Sequence, residues 1–203
     1  MKIAVVGATG NAGSRITSEL LDRGHHVTAI VRNVAKVPAR PNLVARQGDV
    51  LDAPGLAELL KGHDLVVSAV HFTASDPGKL IAAVKAAAVP RYIVVGGAGS
   101  LEVAPGLKLF DAPGFPQEYL AEARKGGAFL DLLRQETALD WSFLSPSAFF
   151  IPGERTGRFR LGTDQLLTAA DGKSSISFED YAVALADEAE RPAHPRRRFT
   201  VGY

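Results

Sequence analysis

The chain has 203 residues, 46% of them hydrophobic, and a formal net charge of +1, which suits one domain with a sizeable core and gives no global field to draw it to nucleic acid or an anionic membrane. It has no cysteine, so disulfides, thiolate metal sites and cysteine nucleophiles are excluded together. No apolar run approaches the roughly 20 residues of a membrane span, and the hydrophobic start has no basic flank like that of an export signal, so the sequence reads as cytoplasmic.

The apolar run from Ile3 to Val6 stops at Gly7. Gly10 and Gly13 follow at three-residue spacing, and an amphipathic stretch begins at once. That is strand, tight turn, helix. Backbone N–H groups at a helix start lack intrahelical partners and carry partial positive charge, which suits an anion. Gly7 permits the turn, Gly10 lets a pyrophosphate approach the backbone, and Gly13 lets helix and strand pack closely. The pattern is GxxGxxG, because Thr9 stands where the stricter GxGxxG has its second glycine. Its place directly after an apolar strand gives it weight. Gly7, Thr9, Gly10, Asn11 and Ala12 are the expected cradle for a dinucleotide.

Strand and helix then alternate. Ile16, Leu20 and Leu21 mark one helical face that ends at Arg23-Gly24. Strands are predicted over 26–31, 43–46, 64–68, 91–95, 141–144 and 199–201. Helices are predicted over 53–60, 76–87 and 119–137, the last weakened at Gly126-Gly127, with a loop over 98–116. Segment 145–173 reads as irregular, with short strands around 158–161 and 166–169. Ser177 caps a final helix to about Glu190, with Asp180 at the reciprocal capping position. Alternating strands and helices indicate a parallel sheet covered on both faces. The expected fold is a doubly wound α/β sheet, a Rossmann fold, forming one domain over 1–203. Residues of about 145–175 would form a small irregular lobe on the substrate side, and ligands would bind at the carboxyl ends of the strands.

Arg32 ends the second strand, where an acidic residue suits the ribose of NAD and a cation the 2′-phosphate of NADP. Its planar fork matches phosphate, so NADPH is the expected cofactor, while Lys36 and Arg40 read as surface charge. Asp49 and the N–H of Val50 would meet the adenine edge as acceptor and donor, or Asp49 would form an Asx-turn or helix cap. Ser68, Ala69 and Val70 end the fourth strand and are small enough to run under the ribose and pyrophosphate. His71 could donate to a substrate, since the ordinary pKa of a histidine suits proton transfer near neutral pH, but a lone histidine is more often structural or exposed. Ser100, after strand five, would hold an acceptor carbonyl near the nicotinamide and is the candidate catalytic residue. The backbone at Pro146 would pair with the carboxamide. Phe110, Phe115, Phe149 and Phe150 are candidate pocket walls. Arg155, Arg158 and Arg160 are candidates for gripping an anion, although such charges are more often solvated. No metal site or nucleic-acid surface is indicated, and Arg196-Arg197-Arg198 is too short to argue one.

These blocks resemble the atypical short-chain dehydrogenase/reductase superfamily over essentially the whole length. More narrowly the chain is similar to NmrA-like proteins and the NAD(P)H-flavin reductase group related to biliverdin reductase B. Gly7-Ala-Thr-Gly-Asn-Ala-Gly13, Val31-Arg32, Gly48-Asp49-Val50, Val95-Gly-Gly-Ala-Gly-Ser-Leu101, Asp140-Trp-Ser-Phe-Leu-Ser-Pro146 and Ile176-Ser-Phe-Glu-Asp-Tyr-Ala182 carry the resemblance, with the final Arg197-Arg-Phe-Thr-Val-Gly-Tyr203. Standard members use Tyr-x-x-x-Lys, but Tyr119-Leu-Ala-Glu-Ala123 has alanine where the lysine belongs. Without a nearby cation a tyrosine is a poor acid at neutral pH, which disfavours ordinary alcohol dehydrogenation. Reduction of a flavin or quinone, which can draw its proton from water, fits better. The alternatives are a non-catalytic NADP-binding regulator and, third, a sugar-nucleotide epimerase or dehydratase.

Overall fold

The apolar runs become strands, and in the structure, a computed structural model that describes residues 1–203, eight strands join in one sheet. In chain order the strands are β1 (Lys2–Val6), β2 (His26–Val31), β3 (Leu43–Gln47), β4 (Leu65–Ser68), β5 (Arg91–Val95), β6 (Glu102–Ala104), β7 (Leu107–Lys108), β8 (Asp140–Pro146), β9 (Phe149–Ile151), β10 (Arg160–Gly162), β11 (Ser175–Ser177) and β12 (Arg197–Gly202). The helices are α1 (Asn11–Asp22), α2 (Ala53–Leu60), α3 (Pro77–Ala86), α4 (Gln117–Arg134) and α5 (Phe178–Glu190). The large sheet runs β10-β12-β8-β5-β4-β1-β2-β3, parallel throughout except for β10. Strand order reverses between β1 and β4, which creates the crevice that doubly wound sheets use for ligands.

The central strands are apolar on both sides because both faces are covered. Val5, Ile93, Leu144 and Phe199 face α1 and α5. Ala4, Val66, Tyr92, Trp141 and Phe143 face α2, α3 and α4. No helix is long and apolar enough to cross a membrane.

The structure departs from the sequence reading in the second half. The stretch 166–169 is not a strand: Gln165 makes a lone bridge to Glu102, and Ala169 N–H donates to Lys173 O, closing a turn. The predicted loop over 98–116 contains the β6–β7 hairpin. The irregular lobe contains β9, which pairs in parallel with β11, and β10, which extends the main sheet. α4 runs unbroken through Gly126-Gly127. A Cβ at Gly126 would lie 2.7 Å from the Phe72 ring, and one at Gly127 would lie 3.1 Å from Phe110. The two glycines let aromatic rings press onto the helix. Asp180 does not close a capping box: Ser177 Oγ accepts from Asp180 N–H (2.9 Å), but the Asp180 carboxylate accepts from Thr156 and Gly157 N–H, Thr156 Oγ1 and Tyr203 OH. Four tertiary donors outbid one local N–H, and they fasten the lobe and the last strand to α5.

Candidate functional site

The turn after β1 shows why each glycine is needed. Gly7 has φ +86°, and a Cβ there would stand 2.4 Å from Ala69 O. A Cβ at Gly13 would stand 2.1 Å from Gly7 O. Both are closed to any other residue by the chain itself. Gly10 is different: it is exposed, with an ordinary φ of −74°, and a Cβ would meet nothing closer than 3.4 Å. Nothing inside the molecule requires glycine there, which is what a backbone kept bare for an incoming pyrophosphate looks like. Alone among the five helices, α1 has neither a side-chain cap nor an acidic residue in its first turn. Its free N–H groups and positive dipole end therefore suit an anion. Thr9 and Asn11 are exposed beside it, with Ala12 half-buried behind them.

The crevice continues along the strand ends. Ala69 and Val70 run directly against Gly7. Ser68 is buried, and its hydroxyl is shared with Tyr92 OH (2.8 Å), so it holds β4 to β5. Burial pushes the Tyr92 phenol well above its ordinary value, which keeps this pair neutral. Arg32 is exposed without an acidic partner, whereas Arg40 is tied to Asp22 (2.6 Å) and Ser18. Asp49 does form an Asx-turn: its Oδ1 accepts from Leu51 N–H (2.9 Å), while Asp52 caps α2. Oδ2 of Asp49 and the N–H of Val50 make no bond within the chain and remain an acceptor–donor pair.

The uncapped start of α1, the acceptor–donor pair at Asp49 and Val50 and the unpaired, exposed Arg32 after β2 together suit a nicotinamide dinucleotide. Residues 7–192 match the NAD(P)H-binding family. The chain belongs to that family. Its fold is the NAD(P)-binding Rossmann fold, shared with oxidoreductases. It is 44% identical over 99% of its length, and 98% of the other, to the uncharacterized protein YwnB of Bacillus subtilis. Among solved structures, the putative epimerase of Bacteroides thetaiotaomicron superposes with a TM-score of 0.95 at 42% identity, covering 100% of this chain and 96% of that one. The putative NADH-flavin reductase of Streptococcus pneumoniae does so at 0.85 and 36%, covering 100% and 99%.

On the acceptor side of this NAD(P)H-binding protein, Ser100 is only 6% exposed. Its Oγ and carbonyl both accept from Nη1 of buried Arg198 (3.0 and 2.9 Å), whose guanidinium also pairs with Asp164. Ser100 thus seats the loop that follows β5, with one hydroxyl proton still to give. Pro146 is buried at the end of β8. Tyr119 is exposed in the first turn of α4, and Ala123 packs against Gly99, where a Cβ would lie 2.5 Å from that of Ala123.

Sequence reasoning missed Glu122, which accepts from Phe72 N–H (2.7 Å), Thr73 N–H (2.8 Å) and Thr73 Oγ1 (2.7 Å) and lies 3.3 Å from His71 Nδ1. Partial burial raises this carboxyl, but the donors from Thr73 and Phe72, helped by His71, outweigh it and hold it below the usual range. Glu122 thereby fixes the turn after β4 onto α4. No local signal marked it, because its partners lie about fifty positions away. Two of the candidate anion grips are engaged elsewhere: Arg155 is bound by Glu19 (2.7 and 2.8 Å), and Arg160 by the carbonyls of Thr168 and Tyr203. Arg158 is exposed. Of the candidate pocket walls, Phe150 is partly buried and packs against the core on Phe178 and Tyr181; Phe110 covers Gly99 and Gly127; Phe115 is half-buried and Phe149 exposed.

Proposed function

We propose that the protein is an NADPH-dependent oxidoreductase that reduces a flavin, a quinone or a similar conjugated acceptor in the cytoplasm. When bound, the dinucleotide supplies a hydride, and the acceptor takes its balancing proton from water. The chain's own residues hold and orient. Gly7, Thr9, Gly10, Asn11 and Ala12 take the pyrophosphate on the free N–H groups of α1. Arg32 takes the 2′-phosphate with its planar fork. Asp49 and Val50 take the adenine edge, the backbone at Ser68, Ala69 and Val70 runs beneath the ribose, and Pro146 meets the nicotinamide end. Ser100 is a positioning residue that acts through its loop.

The observation that carries this reading is at position 123. Ala123 packed on Gly99 leaves Tyr119 without the ammonium that makes a tyrosine an effective acid–base partner. Acceptors that need no protein acid remain open. The name of the pneumococcal relative supports the acceptor class. The epimerase name of the Bacteroides relative points to chemistry that the same alanine disfavours. The test is loss of NADPH absorbance with purified protein and a panel of FMN, riboflavin and menadione. Turnover with at least one of them, with NADPH preferred over NADH, is expected. Calorimetric NADPH binding with no turnover of any acceptor would leave the protein a regulator rather than a reductase.

A further inference from the structure

We infer that Phe149 and Ile151 form the platform on which the acceptor's conjugated ring lies. This rests on the reductase reading above and names the ring-recognition element of the same site. Phe149 is 62% exposed and Ile151 50% exposed, yet Phe150 between them is packed against Phe178 and Tyr181, with ring centroids 4.5 and 4.6 Å away. The pleat of β9 sends alternate side chains to opposite sides, so Phe149 and Ile151 share its outer face. No other two exposed large apolar residues of the chain stand two apart on one strand. Single exposed apolar side chains are ordinary; an aromatic and a branched aliphatic side chain bared together on one strand face offer a planar ring a surface to cover.

Position selects the occupant. β9 begins three residues after Pro146 ends β8, so it lies within about 10 Å of the carboxyl edge of the sheet, at the nicotinamide end of the crevice. It is also held rigidly. Phe149 N–H donates to Ser174 O (2.8 Å), and Gly153 N–H donates to Glu179 Oε2 (2.9 Å). Glu179 Oε1 accepts from Arg15 Nε (3.0 Å) on the second turn of α1. One carboxylate therefore ties the platform to the helix whose first turn takes the pyrophosphate. Hydride transfer requires the two rings to approach to about 3–3.5 Å in a fixed pose. A stacked planar acceptor on a rigid aromatic and a branched aliphatic side chain satisfies that, since aromatic pairs gain beyond the area they bury.

The test measures riboflavin binding by quenching of its fluorescence in saturating NADP⁺, with menadione as competitor, alongside NADP⁺ binding by calorimetry and turnover. Riboflavin carries no phosphate, so it reports ring recognition alone. Phe149→Ala with Ile151→Ser is expected to weaken riboflavin about tenfold or more and raise its KM, with NADP⁺ affinity unchanged and Phe149→Trp restoring binding. A double variant that binds riboflavin as the wild type does, while the wild type still turns it over, overturns the platform alone. Wild-type protein that neither binds nor reduces riboflavin or menadione overturns the platform and the reductase reading together. Wild-type dimers that the double variant converts to monomers in sedimentation would assign the face to a second copy and also overturn the platform.

Discussion

Replacing Gly10 by valine separates binding from folding, and the three glycines of the turn supply their own controls. At Gly10 the backbone is unstrained and the nearest atom to a new Cβ is Gly7 O at 3.4 Å, so the cost to the fold is mainly a poorer N-cap, about 1 kcal/mol. That corresponds to roughly 2–4 °C in Tm for a domain of this size. The isopropyl group would project where the pyrophosphate must come, displacing at least two charge-assisted hydrogen bonds. At about 1.5 kcal/mol each this is a loss beyond a hundredfold in NADPH affinity. At Gly7 the balance is reversed. Alanine there is forced into a left-handed conformation, worth about 1–2 kcal/mol, and meets Ala69 O at 2.4 Å, which adds about 1–3 kcal/mol of overpacking. A destabilisation near 3 kcal/mol, roughly 6–12 °C, is expected, and Gly13→Ala should behave similarly because its Cβ would overlap Gly7 O. Thermal melts by circular dichroism and calorimetric titration with NADPH read both quantities. A folded Gly10→Val protein with unchanged NADPH affinity would refute the assignment of this turn as the phosphate site.

Arg32→Asp should remove the preference for NADPH over NADH, a contact of about 1.5–3 kcal/mol, and wild-type protein that binds NAD⁺ and NADP⁺ equally in calorimetry would end that claim. Tyr119→Phe should lower kcat with flavin or quinone less than about tenfold, since loss of an essential general acid typically costs 10²–10⁴-fold; a folded, NADPH-binding variant a hundredfold slower would restore the tyrosine-acid scheme. Glu188 is buried and accepts from Arg91 (2.6 Å), Ser142 (3.1 Å) and His194 (2.7 Å). Burial raises its carboxyl, but His194 and the neighbouring N–H groups outweigh that and hold it below the usual value. Its folded pKa thus lies below its unfolded one, so its contribution to stability is present above the unfolded value of about 4.3 and is lost as pH falls through the folded value. Melting temperatures taken downward from pH 6 should therefore fall less steeply for Glu188→Gln than for wild type, and identical slopes would contradict the assignment.

The glycine turn was legible because it is local: its spacing and the apolar run before it lie within thirteen residues. The places of Arg32, Asp49 and Val50 just beyond the ends of β2 and β3 were legible by the same logic, since strand ends are set by local apolar runs. What escaped were arrangements made by distant partners. Ser100 could be placed after β5, but its contact with Arg198, 98 positions away, could not be read from either neighbourhood. Low helix propensity made Gly126-Gly127 look like a weak point, whereas the Phe72 and Phe110 rings need the space. Ser177 was read correctly as a cap because capping is local, and Asp180 incorrectly because its donors come from the lobe and the last strand. The three-residue strands β9 and β11 are too short for alternation to register.

The pairing of α1 with α5 bears on how the molecule is made. Ile16, Leu20 and Leu21 are covered by Tyr181, Leu185 and their neighbours in one cluster, although about 155 residues separate the two helices. At typical translation rates the second arrives on the order of ten to thirty seconds after the first. During that interval the half carrying β1, α1 and β2 stands with its apolar face bare on the ribosome. Co-translational aggregation and chaperone capture should therefore concentrate on this face, and a ribosome stalled before residue 178 should hold a chain that is protease-sensitive in its first thirty residues.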